Sequence, residues 1–114
     1  MSTSAEDSLE APGRDGLKKK LLRKERAEKR KLINSRLNPI KTELSRLEER
    51  IAQLEEKERE LSKLLADPDI FKDIKKSSPL LEEYGQLRKE LGDLMLKWEN
   101  RQTHLESIEK ELGI

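Results

Sequence analysis

Two stretches of the chain place apolar residues at alternating steps of three and four. In residues 37–65 the positions are Leu37, Ile40, Leu44, Leu47, Ile51 and Leu54, then Glu58, then Leu61 and Leu65. In residues 80–112 they are Leu80, Tyr84, Leu87, Leu91, Leu94 and Trp98, then Arg101, then Leu105, Ile108 and Leu112. Such steps average about 3.5, the period that keeps one stripe of a helix facing a partner helix. Each seam carries one polar break. The pattern predicts an all-α chain built as an antiparallel two-helix coiled-coil hairpin. A hairpin of this size has little room for a reaction pocket, so the expected work is contact and positioning, and the chain is not expected to be an enzyme.

The segments between the seams carry their own punctuation. Asp67-Pro68 reads as an N-cap followed by a first-turn proline, so a short helical turn is expected from 67 to about 74. Ser77-Ser78-Pro79 repeats that logic, with Ser78 as N-cap and Pro79 at the first position of the second arm. The arms are therefore 39–66 and 79–112, the connector is 67–78, and Gly113 ends the second arm. Ile70 and Phe71, apolar residues in the connector, are expected to fold back over the open end of the hairpin. Pairing Leu65 with Leu80 brings 61 opposite 84, 54 opposite 91, 47 opposite 98 and 40 opposite 105. Trp98 then meets Leu47 as an anchor in mid-seam. Glu58 and Arg101 are not opposite each other in this register, and both are expected to reach solvent while fixing it.

Upstream of the arms the composition shifts twice. Residues 1–16, rich in Ser, Ala, Pro, Gly and acid, can form no core and are expected to be a disordered linker. Residues 17–38 contain neither Gly nor Pro and read as a basic N-terminal helical extension. Pro39 either kinks a longer helix or starts a new one with Asn38 as its N-cap. The seam stays in phase across it through Ile33, Leu37, Ile40 and Leu44, which favours the kink.

Charge changes the picture more than composition does. Charged residues make up 43% of the 114, hydrophobic residues 32% and aromatic residues 3%, too little apolar matter for a compact globule but enough for one seam. The net charge of +1 hides an asymmetry: residues 14–31 hold ten Lys and Arg against three acids, a net of +7, which leaves −6 for the remainder. In that run Lys18, Lys19, Lys20, Arg23, Lys24, Arg26, Lys29, Arg30 and Lys31 are the candidate contacts to a phosphate backbone, since such density attracts polyanions without sequence preference. No aromatic residue interleaves them, so base stacking is not expected there. The alternative is a solvated linker beside a protein-interaction or dimerisation coiled coil.

Other chemistry is sparse. There is no cysteine, and His104 is the only histidine, so no metal site is expected. Glycines at 13, 16, 85, 92 and 113 form no phosphate-binding loop, and no cofactor is expected. The opening MSTSAEDSLEAPGRDG lacks the apolar core of a secretory signal, and no run approaches the roughly 20 apolar residues of a membrane span. A cytoplasmic monomer is expected.

The order of these features resembles a known module. A basic RKERAEKRK run is followed by a leucine-rich arm, then by the connector LLADPDIF, then by a second arm containing LLEEY and LKWENRQTHLE. Over about residues 18–112 this is similar to the C-terminal coiled-coil domain of ABC-F ATPases, where the module follows the second ATPase domain through a charged linker. The resemblance implies tandem ABC ATPase domains in a parent protein, work on or near the ribosome, and DNA or ribosomal RNA as the nucleic acid. The Walker and signature motifs of the family are absent from this chain, so any ATP binding implied would belong to the parent.

Overall fold

A computed structural model describes residues 14–114 in full and only the backbone of residues 2–13. It contains three helices, α1 (Ser2–Ala66), α2 (Pro68–Lys72) and α3 (Ile74–Leu112). The expectation of disorder at residues 1–16 falls, up to residue 13, outside the fully described residues; from Arg14 to Gly16 the backbone is helical. Contacts divide the chain into two units, residues 1–36 and residues 37–114.

The second unit is the hairpin. Leu54 and Leu61 of α1 share a core with Leu87 and Leu91 of α3, flanked by Ile51, Leu80, Tyr84 and Leu94. Cross-helix contacts fix the direction. Arg101 faces Glu43 at 3.8 Å, the Trp98 indole N–H donates to Glu48 at 3.0 Å, Arg50 meets Glu90 at 3.1 Å and Lys57 meets Glu83 at 3.5 Å. Partners descend along α3 as they ascend along α1, so the arms are antiparallel and close to the expected register. Every seam position from Leu37 to Leu65 and from Leu80 to Leu112 is buried or half-buried. None of the described side chains is fully enclosed. Two helices can cover each other along one stripe only, and the flanks of that stripe stay open to water.

Local signals set the ends. Asp67 caps α2 by accepting the Asp69 N–H at 3.0 Å, with Pro68 in the first turn as its sequence implies. The second arm starts earlier than expected. Asp73, not Ser78, is the N-cap of α3: its carboxylate accepts the Lys75 N–H at 3.1 Å and its carbonyl accepts the Ser77 N–H at 2.8 Å. Pro79 consequently lies inside the helix, where its missing N–H withholds one bond from the Lys75 carbonyl. The earlier start places Ser77, 5% exposed, one step of three before Leu80 and so lengthens the buried stripe. Pro39 likewise lies inside α1 and starts no new helix at Asn38. At the other end Gly113 adopts φ 73°, and its N–H and that of Ile114 return to the Lys110 and Glu109 carbonyls at 3.2 and 2.9 Å, a Schellman closure.

Two expectations about side chains need correction. Phe71 does not cover the end of the hairpin; it is 59% exposed, and only Ile70 is half-buried. Ile70 and Phe71 are adjacent on α2 and point about 100° apart, so only one of them faces inward. Trp98 is not enclosed in mid-seam. It lies half-buried at the seam's edge because its indole N–H requires an acceptor, which Glu48 supplies. The polar breaks behave as register markers, each with a partner across the seam. Glu58 accepts from Arg88 at 3.4 Å while the Arg88 guanidinium lies 5.9 Å from the centre of the Tyr84 ring, and Arg101 pairs with Glu43.

The burial pattern ranks the core. Leu54, 3% exposed, is the tightest apolar position, so Leu54→Ala is expected to destabilise the hairpin by about 2–5 kcal/mol in urea unfolding. Half-buried Trp98→Ala is expected to cost about 1–3 kcal/mol, less than an enclosed tryptophan would. An equal or larger loss at Trp98 would contradict its place at the seam's edge. The hydrogen bond and charge of Arg59 hold the Glu56 carboxyl below its ordinary range. Because the folded value is depressed, any stabilisation from the pair is present above the unfolded pKa and lost as pH falls through the folded one. An NMR titration is expected to show Glu56 protonating at lower pH than an unperturbed glutamate, and Arg59→Gln to raise it towards the ordinary range.

Candidate nucleic-acid interface

The basic run lies in the first unit. All nine cations of the sequence reading, Lys18, Lys19, Lys20, Arg23, Lys24, Arg26, Lys29, Arg30 and Lys31, sit on helical backbone and are exposed. Leu, Arg, Lys, Ala and Glu, all strong helix formers, fill residues 17–31 without interruption. Among the described residues no carboxylate forms an ion pair with any of the nine; the recorded polar contact within the run is Arg30 Nε donating to the Arg26 carbonyl at 3.4 Å.

The helix sorts these residues by face. At about 100° per residue, Lys19, Arg23, Arg26 and Arg30 are spaced by steps of four, three and four and fall in one row. Lys20, Lys24 and Lys31 form the neighbouring row, with half-buried Ala27 filling its remaining place. Seven cations therefore share one side of the helix. Arg23, Arg26 and Arg30 border a shallow depression there together with Lys29 and Ile33. Of the three acids of the run, Glu25 and Glu28 fall on the other side with Leu17, Leu21 and Leu32, and Asp15, four residues before Lys19, falls at the N-terminal end of the arginine row. Lys18 lies on a third side with Leu22, and Lys29, three residues after Arg26, stands at the edge of the arginine row where it borders the depression.

Charge density alone treats the nine cations alike. The helical spacing groups them into a row of Lys19, Arg23, Arg26 and Arg30 with Lys29 at one edge, a neighbouring row of Lys20, Lys24 and Lys31, and Lys18 apart from both. That signal was available from residue spacing once a helix was assumed. A row of arginines suits phosphate because each guanidinium offers planar, paired donors and stays charged. Nothing on this face offers a stacking platform, so the arrangement can hold a backbone but cannot read bases. Elsewhere His104 is exposed, and among the described residues no cluster of His, Cys, Asp and Glu could hold a metal ion.

The hairpin, not the basic run, carries the kinship. Residues 40–102 match the family model of the ABC transporter C-terminal domain, which covers more than half of the chain. The chain belongs to that family. No curated protein and no solved structure matches it. The matched span includes nearly all of the first arm, the whole connector and most of the second arm, from Ile40 to Gln102, and leaves out the cationic face. As a C-terminal domain of ABC transporter proteins the hairpin is an accessory module, and among the described residues no helix is long and apolar enough to cross a membrane.

Proposed function

We propose that this ABC transporter C-terminal domain is a non-catalytic, cytoplasmic nucleic-acid-binding module of an ABC-F type ATPase, and that it grips phosphate backbone through the cationic face of its first unit. The observation that carries the reading is the segregation of charge: seven cations on one side of a helix, none in an ion pair among the described residues, with Glu25 and Glu28 turned to another side and Asp15 alone at the end of the cationic row. A run whose only task is solubility gains nothing from that sorting, whereas a groove or ridge of phosphates can be met only by one side of a helix at a time. The family match supports the ABC context, and the LLADPDIF connector and LKWENRQTHLE arm support the ABC-F subclass. In that setting the parent's tandem ATPase domains would perform the chemistry, and ribosomal RNA or duplex DNA would be the polyanion.

Anisotropy with labelled duplex DNA and structured RNA tests this across a salt series. One side of a helix places about four to five cations on phosphates at once, so the slope of log K against log salt for duplex DNA is expected near about −4, from about −0.9 per phosphate. Replacing Lys19, Arg23, Arg26 and Arg30 with Gln is expected to flatten that slope towards zero and to weaken all sequences alike. Replacing Lys18 alone, with the row left intact, is expected to change it by less than about one. Circular dichroism should show the hairpin intact in both variants. Absence of binding at low salt, or equal losses in the two variants, would return the basic run to the role of a solvated linker.

A further inference from the structure

The two flanks of the seam treat charge differently. Arg50, Lys57, Glu83 and Glu90 immediately precede the seam positions Ile51, Glu58, Tyr84 and Leu91, and on their flank Arg50 pairs with Glu90 and Lys57 with Glu83 across the arms. Glu48, Glu55 and Met95 immediately follow Leu47, Leu54 and Leu94 and so lie on the other flank. There an apolar trough of about 380 Å³ has Ile51, Ala52, Met95 and Trp98 as its floor and Glu48, Glu55 and Glu99 as its rim, with no lysine or arginine in its lining. Among the described residues none of these three carboxylates forms an ion pair, and Glu48 accepts only the Trp98 indole N–H. Met95 is 48% exposed although it belongs to neither seam. The neighbouring concavity, beyond Gly92, differs: Arg59 and Arg88 line it together with Glu55 and Glu58, so its charges balance.

An apolar floor ringed by carboxylates without cations calls for a helix that carries apolar side chains between lysines or arginines. We propose that the trough is a docking site for a short cationic amphipathic helix of a partner protein. From Glu48 to Glu55 the rim spans about 10 Å, so two to three turns of helix cover it. Apolar side chains four residues apart on that helix rest on Met95 and Trp98, where a flexible thioether and an indole face adapt to their shape. Cations on either side of them meet Glu55 and Glu99. The balanced charge beyond Gly92 offers a longer cationic helix nothing more, so the contact ends there. The basic segment of this chain does not match that description, because Leu17 and Leu21 share their side with Glu25 and Glu28. The site lies in the hairpin and does not depend on the nucleic-acid reading of the basic segment.

Trp98, the only tryptophan, reports on the trough directly. The probe is a synthetic Ala-based helical peptide, free of aromatic residues, with leucines four residues apart and lysines beside them. Titrated into the full chain, it is expected to shift Trp98 emission to the blue with a dissociation constant of about 10–100 µM at low salt, and to bind more weakly as salt rises. The same peptide with Glu for Lys, and separately with Ser for Leu, is expected to bind at least about tenfold more weakly. In the chain, Glu55→Gln with Glu99→Gln is expected to weaken binding about tenfold, and Met95→Ser to weaken it as well. Glu60→Gln with Glu82→Gln, at exposed acids outside the trough, is expected to change it less than about twofold. No shift of Trp98 up to about 1 mM peptide, equal binding of the Ser-for-Leu peptide, or equal losses in the two acid variants would each overturn the proposal. So would self-association of the chain by sedimentation that Met95→Ser removes, which would assign the trough to a second copy.

Discussion

A single apolar stripe holds the hairpin together, and most other features follow from its narrowness. Two helices packed along one seam bury Leu37, Leu44, Leu54, Leu61, Leu87, Leu91 and Leu105 but enclose none of the described side chains completely. Each buried leucine contributes about 1.5–3 kcal/mol against an ordering cost of about 1–2 kcal/mol per residue, so few positions are dispensable. The same narrowness explains why Gly85 and Gly92 are tolerated in the interior of α3: a Cβ at either would meet open space, and packing neither requires nor forbids one.

A seam of near-identical leucines does not fix its own alignment, because a slip of one heptad would still pair leucine with leucine. Polar residues at its edges resist that slip. Glu58 finds Arg88, Arg101 finds Glu43, and Trp98 finds Glu48, each across the interface. These contacts are exposed or half-exposed and are worth little individually, typically under about 1 kcal/mol. Their effect lies in the alternatives: a shifted register would separate Glu58 from Arg88 and strand the indole N–H. Specificity here comes from weak polar contacts, and stability from the apolar stripe they flank.

The chain divides its roles between its two units and again between helix faces. The family match rests on the hairpin, within residues 40–102, while the charge that suggests a polyanion lies upstream of it. The domain family therefore supplies the scaffold and its ABC context, and the nucleic-acid reading stands on the electrostatics of residues 18–31 alone. Within that segment one side of the helix is cationic and another carries leucines with two glutamates.

The sequence by itself determined the all-α class, both seams residue by residue, their antiparallel pairing, the Asp67-Pro68 turn and the Gly113 stop. All of these depend on periodicity or on local backbone chemistry, which neighbouring residues encode. It also located the basic run, because charge density is a property of composition. Tertiary structure decided what competition between alternatives leaves open. Asp73 prevailed over Ser78 as the cap of α3 because a longer helix adds Ser77 to the buried stripe and forfeits only one hydrogen bond at Pro79. Phe71 turned outward because it follows Ile70 directly on α2, and adjacent helical residues point about 100° apart. Trp98 moved from the centre of the seam to its edge because an indole N–H needs a partner, and the identity of that partner, Glu48 on the opposite arm, is fixed only when the two helices meet.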